Sequence, residues 1–155
     1  MEKFDYTVHV DVEAPYGADA RDIHDAAQQA LAIAQAEGPL ALTVVVTSDE
    51  RVRELNAQYA GLDEVTDVLA FAAEGDPYEV DSGEPPYLGD VIIAFPVAER
   101  QARDVQHSVM AELQTLTIHG TLHLLGYDHA TPEQQAEMWA LQSAALDALR
   151  QGGKA

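Results

Sequence analysis

Cysteine is absent from all 155 residues. Disulfides and thiolate metal sites are thereby excluded, and any metal must be held by histidine or carboxylate. Basic residues are scarce: 8 Lys and Arg stand against 27 Asp and Glu, a formal net charge of −19. Such a surface is well solvated and repels polyanions at long range, which counts against functions that need nucleic acid. Long apolar runs are missing too, since none approaches the roughly 20 residues that cross a bilayer. The opening "MEKFDYTVHVDV" alternates apolar and polar side chains and lacks the unbroken core of a signal peptide. A cytoplasmic protein without membrane contact is expected. No repeat, linker or second domain interrupts the pattern.

What is present suits a packed domain. With 47% hydrophobic residues the chain can bury a substantial core. One domain is expected over residues 1–150, with "QGGKA" at 151–155 as a frayed tail. Phe4 to Val12 alternates as a strand, with Phe4, Tyr6, Val8 and Val10 on one face. A helix carrying Ile23, Ala27, Ala30, Leu31 and Ala34 on one side then runs towards Gly38-Pro39, expected to stop it. "LALTVVVT" reads as a central strand, and Ser48 caps a helix that Gly61 ends. "TDVLAF" and "YLGDVIIAF" are further strands, separated by "AAEGDPYEVDSGEPP", a loop long enough to serve as a lid or binding segment. Helical sequence follows from Pro96, with a break near Arg103 to His107, and continues to Leu125. Thr131-Pro132-Glu133-Gln134 starts a last helix, to about Leu149, with a capping box. The expectation is an α+β fold: a mixed sheet of about four strands packed with helices, one of them central and buried.

That central helix, Val109 to Leu125, is apolar on every side except one line, which carries Ser108, Glu112, Thr115, His119 and His123. A polar stripe on a buried rod needs partners. His119 and His123 are four apart and project together. Gly126 lets the chain leave the helix in a left-handed conformation and swing His129 back towards the pair. Three imidazoles leave a fourth position for water, the open arrangement of a catalytic zinc; nickel or copper would also be accepted. His9, on a strand, His24, on an exposed helix face, and His107 show no partner pattern. For proton transfer Asp128, Asp67 and Asp90 are candidates, and no catalytic base is assigned. The spacing H-x-x-x-H-x-x-G-x-x-H is also that of the metzincin proteases, but their general-base glutamate is replaced here by Gly120, which cannot move a proton.

"HGTLHLLGYDH" closely resembles the signature of the YbeY endoribonuclease family, bacterial proteins of ribosomal RNA maturation. "LNAQYAGLDEVTDVLAF" is similar to that family's upstream block and "YLGDVIIAF" to its strand before the histidine helix. The resemblance implies one α+β domain, one zinc on His119, His123 and His129, and cleavage of single-stranded RNA. It also implies ribosomal RNA as substrate, small-subunit ribosomal proteins as partners, and a role in ribosome quality control. Where the family usually carries an arginine after the tyrosine of the upstream block, this chain has Ala60. Arg51, Arg53, Arg100 and Arg103 are the nearby cations available instead. Two readings stay open: a zinc-dependent endoribonuclease of small-subunit rRNA maturation, and a metal-stabilised ribosome-assembly factor with little nuclease activity. A small hydrolase of another substrate also fits the spacing. A basic strip along the metal cleft would favour the first reading, a neutral or acidic cleft the second.

Overall fold

The structure, a computed structural model, describes residues 5–73 and 86–152. Phe4 of the expected first strand, residues 74–85 of the proline-rich loop and residues 153–155 of the tail lie outside the described residues. The described elements are β1 (Tyr6–Val12), α1 (Ala20–Ile33), β2 (Leu40–Thr47), α2 (Asp49–Ala60), β3 (Val68–Ala72), β4 (Tyr87–Ala94), α3 (Phe95–Asp104), α4 (Val109–Leu124) and α5 (Pro132–Gly152). The strands form one mixed sheet in the order β1-β2-β4-β3. β1 and β2, and β2 and β4, run parallel, while β3 is antiparallel to β4 and forms the edge beyond it. The α+β expectation holds.

Alternation along the strands decides which helices each face receives. Leu42, Val44 and Val46 of β2, with Val91 and Ile93 of β4, pack against Ile23, Ala27 and Leu31 of α1 and Leu113, Leu116 and Leu124 of α4. On its outer side α4 presents Ile118 and Leu122 to Ala26 and Ala30 of α1 and to Met138 and Ala145 of α5. The central helix is therefore lined by sheet on one side and helices on the other, which is why it is apolar nearly all round. The opposite sheet face is covered mainly by α2, through Val52 on Ile92 and Ala94.

β3 spans Val68–Ala72 rather than starting at Thr66, and β4 ends at Ala94, one residue before Phe95; two helix ends also differ from the sequence pattern. α1 stops at Ile33, short of Gly38-Pro39, because Gln35 turns left-handed at φ 57°. The Ala36 N–H then bonds the Leu31 carbonyl at 3.0 Å, and the Tyr6 hydroxyl donates to the Ala36 carbonyl at 2.6 Å. Local helix-end hydrogen bonds thus act before the proline does. α5 continues to Gly152, past the expected end near Leu149, since nothing before the glycine pair breaks it. The capping box is present: the Gln134 N–H donates to the Thr131 hydroxyl and the Thr131 N–H to the Gln134 side chain, both at 3.2 Å.

Candidate metal centre

The line of polar residues along α4 finds partners one by one. Ser108 caps the helix by accepting from the Ala111 N–H at 3.0 Å, and Thr115 donates back to the Ala111 carbonyl at 2.9 Å. Glu112, 9% exposed, lies 2.7 Å from Nε2 of His107. His107, read from sequence as lacking a partner, therefore has one. The turn that brings it back contains Gln106 at φ 59°, a conformation the sequence did not announce.

Further along, His119 and His123 direct their Nε2 atoms at one another across 3.1 Å. Leu125 ends α4, Gly126 follows at φ 101°, and the chain returns so that one donor atom from each of His119, His123 and His129 lies within 4.8 Å of the others. Metal–nitrogen bonds of about 2.0–2.1 Å in a tetrahedron place donor nitrogens about 3.4 Å apart. The His119–His123 separation is near that value, and the His129 donor lies within 4.8 Å of both. The donor set fits a borderline-soft divalent ion with an open fourth position.

The rings' protonation suits the same purpose. Burial lowers the pKa of His119 from its ordinary value, with nearby His129 adding to the effect, while Gln142 and the charge of Asp67 oppose it. Burial and the neighbouring His119 and His129 lower that of His123. Neutral imidazole is the ligand form. Nδ1 of His119 lies 3.1 Å from Oε1 of Gln142 on α5. Because an amide oxygen only accepts, this contact puts the His119 proton on Nδ1 and leaves Nε2 free as a donor to metal. Trp139, one turn earlier on α5, sets its ring 5.8 Å from that of His119 and 5.7 Å from that of His129. Neither Gln142 nor Trp139 was identified from sequence. Their three-residue spacing on α5 shows only that they share a side of that helix.

The three aspartates separate. Asp67 accepts from the Val68 N–H at 2.8 Å and from Gln101 at 3.4 Å, and its charge reaches His119. Asp128 accepts from the His129 N–H at 2.7 Å, holding the turn that presents the third ring, and its charge reaches His123. Asp90 does not join them. It follows Gly89 and precedes Val91, which face α4, so it points to the other side of the sheet and bonds Tyr87 there. Burial, helped by Asp90, pushes the Tyr87 hydroxyl up to about 12.

The cations are mostly spoken for. Arg53 makes a two-pronged pair with Asp63 at 2.7 and 3.2 Å. Arg51 pairs with Glu54, Arg100 with Asp49 and Arg150 with Asp147. Ala60 is the exposed last residue of α2. No basic strip emerges among the described residues.

A four-stranded mixed sheet under a buried helix, with three imidazoles converging at that helix's glycine-turned end, defines a class: α+β proteins with a three-histidine cluster able to hold a metal ion. The family model described as Endoribonuclease YbeY matches residues 7–150, and the chain belongs to that family. It is 42% identical over 132 residues to the endoribonuclease YbeY of Brevibacillus brevis, covering 79% of this chain and 81% of that one. With the Listeria monocytogenes serotype 4a protein of the same name, identity is 45% over 115 residues, or 69% and 71% of the two chains. The solution structure of TM1509 from Thermotoga maritima superposes with a TM-score of 0.64 at 23% identity, over 96% of this chain and 92% of that one. That likeness establishes the shared fold. No helix among the described residues is long and apolar enough to cross a membrane.

Proposed function

We propose that this chain is a zinc-dependent endoribonuclease that cuts single-stranded RNA in the maturation and quality control of the small ribosomal subunit. In this reading it works in the cytoplasm, as one catalytic domain over residues 1–150, on ribosomal RNA and alongside small-subunit ribosomal proteins. The observation that carries the proposal is the convergence of His119, His123 and His129 within one metal's reach in a chain of this family. Zinc bound there would supply a Lewis acid for a phosphoryl oxygen and a water acidified towards ~7. The protein's own part is to keep His119 and His123 neutral by burial, to orient His119 through Gln142, and to hold Asp67 near the site.

One observation keeps the assembly-factor reading beside it. Four of the arginines are tied to carboxylates, and phosphate contacts ordinarily dominate nucleic-acid affinity. A metal-stabilised protein that meets the ribosome mainly through protein contacts fits so acidic a surface. Turnover of a labelled single strand by wild type, Ala60→Arg and His119→Ala, with and without chelator, separates the two. The nuclease reading expects slow, chelator-sensitive cleavage by wild type, aided by moderate salt or magnesium. Ala60→Arg should cleave faster through a restored phosphate contact, and His119→Ala should be inert. If neither wild type nor Ala60→Arg exceeds His119→Ala at any salt concentration, the assembly-factor reading replaces it.

A further inference from the structure

Four of the six arginines are paired with carboxylates, so side-chain cations contribute little to holding a strand against the metal centre. The chain has a single tryptophan, Trp139, and it stands at that centre. Its neighbour Met138 is fully buried, whereas Trp139 is 43% exposed. The contacts with His119 and His129 are tilted, at 59° and 50°, so neither imidazole stacks flat on the indole. An indole 43% exposed beside the three imidazoles offers a large apolar surface to a ligand held at that site.

We infer that Trp139 is a stacking platform for one unpaired nucleobase of the RNA strand, next to the phosphate presented to His119, His123 and His129. The inference rests on the nuclease reading for its choice of ligand. Every base has a π-face, so an aromatic platform tolerates sequence, and it needs no cation from the protein. It also demands a single strand. In a duplex both faces of each base are already occupied by its neighbours, and the platform has nothing to hold. Restriction to single strands would then come from Trp139, and weak general affinity from the charge of −19.

Because the tryptophan is unique, its emission reports its own contact. The experiment uses zinc-loaded protein, a short single-stranded oligoadenylate, and the same backbone made abasic. Oligoadenylate should quench the wild-type emission and the abasic strand should not. By anisotropy of labelled strands, Trp139→Leu should bind oligoadenylate roughly five- to a hundredfold more weakly, the usual worth of one stacked base. Trp139→Phe should recover most of that loss, and all three proteins should bind the abasic strand alike. Zinc content is measured in each. Equal binding of both strands by wild type, or Trp139→Leu within twofold of wild type on oligoadenylate, would overturn the inference. So would loss of zinc from Trp139→Leu, which would make the indole a wall for the histidines. None of these readouts needs cleavage, so an inactive wild type whose emission is still quenched would sink the nuclease reading and leave the platform standing.

Discussion

The sheet face beneath α4 and the face beneath α2 are made of alternate residues of the same strands, yet they are finished differently. Beneath α4, Gly89, Val91 and Ile93 are sealed by two helices, with α5 behind them, and the histidines rise from the rim of that sealed layer. Beneath α2 the covering is partial. A cleft of about 620 Å³ remains there, lined by Asp11, Glu13, Thr47, Arg51, Tyr59 and Asp90 among others. The lesson is that adjacency in sequence misleads on a strand: Asp90 and Val91 are neighbours in the chain and occupy different environments. Burial lowers imidazole pKa values on the α4 side and raises a tyrosine's on the other, in each case by penalising the charged form.

The sharpest test of that division exchanges the aspartates. On the nuclease reading, with Asp67 as the proton-handling carboxylate, Asp67→Asn should reduce turnover of single-stranded RNA by about a hundredfold or more with metal retained. Asp90→Asn should leave both turnover and metal content within twofold of wild type. Equal losses from the two variants would erase the distinction between the faces.

Next in size is the contact across α4 and α5. Gln142→Leu removes the acceptor that fixes the His119 tautomer, and zinc affinity by chelator competition should fall about 10–100-fold. Gln142→Glu should restore it. An unchanged affinity in the leucine variant would show the 3.1 Å contact to be incidental.

The seal itself depends on Gly120, where a Cβ would lie 2.6 Å from Cγ1 of Val91. Gly120→Ala should cost about 1–3 kcal/mol in urea unfolding through overpacking. Trimming Val91 to alanine in the same chain should return part of it, because the two sites share one contact. Gly126→Val, at φ 101°, should cost a similar amount through backbone strain and lower zinc occupancy with it. A Gly126→Val protein that is fully loaded and equally stable would contradict the turn.

The smallest effect is on pH dependence of the metal-free chain. His119 and His123 have folded pKa values below the ordinary ~6.5, so in the intervening range the unfolded chain binds more protons. Their contribution is complete above ~6.5 and is lost as pH falls through the depressed folded values. Urea midpoints in chelator should therefore decline on acidification below about pH 6.5. The decline should be shallower in His119→Gln; identical slopes in the two proteins would count against it.

Much of this was legible in the residues because it is local. Four-residue spacing puts His119 and His123 on one side of a helix, and Gly126 after Leu125 permits the reversal that returns His129. Ser48 and Thr131 mark helix starts through bonds within three residues, and alternation along β1 marks it as a strand. Each such feature follows from backbone geometry over a turn or a pleat. What only the tertiary structure decided involves segments far apart in the chain. Gln142 and Trp139 reach the histidines because α5 docks along α4, and Asp67 reaches His119 from another part of the chain. The Tyr6 hydroxyl of β1 reaches the Ala36 carbonyl just past the end of α1, across 30 residues of chain. Such contacts are selected by how whole elements pack, where many side-chain volumes act at once and no spacing along the chain encodes the result.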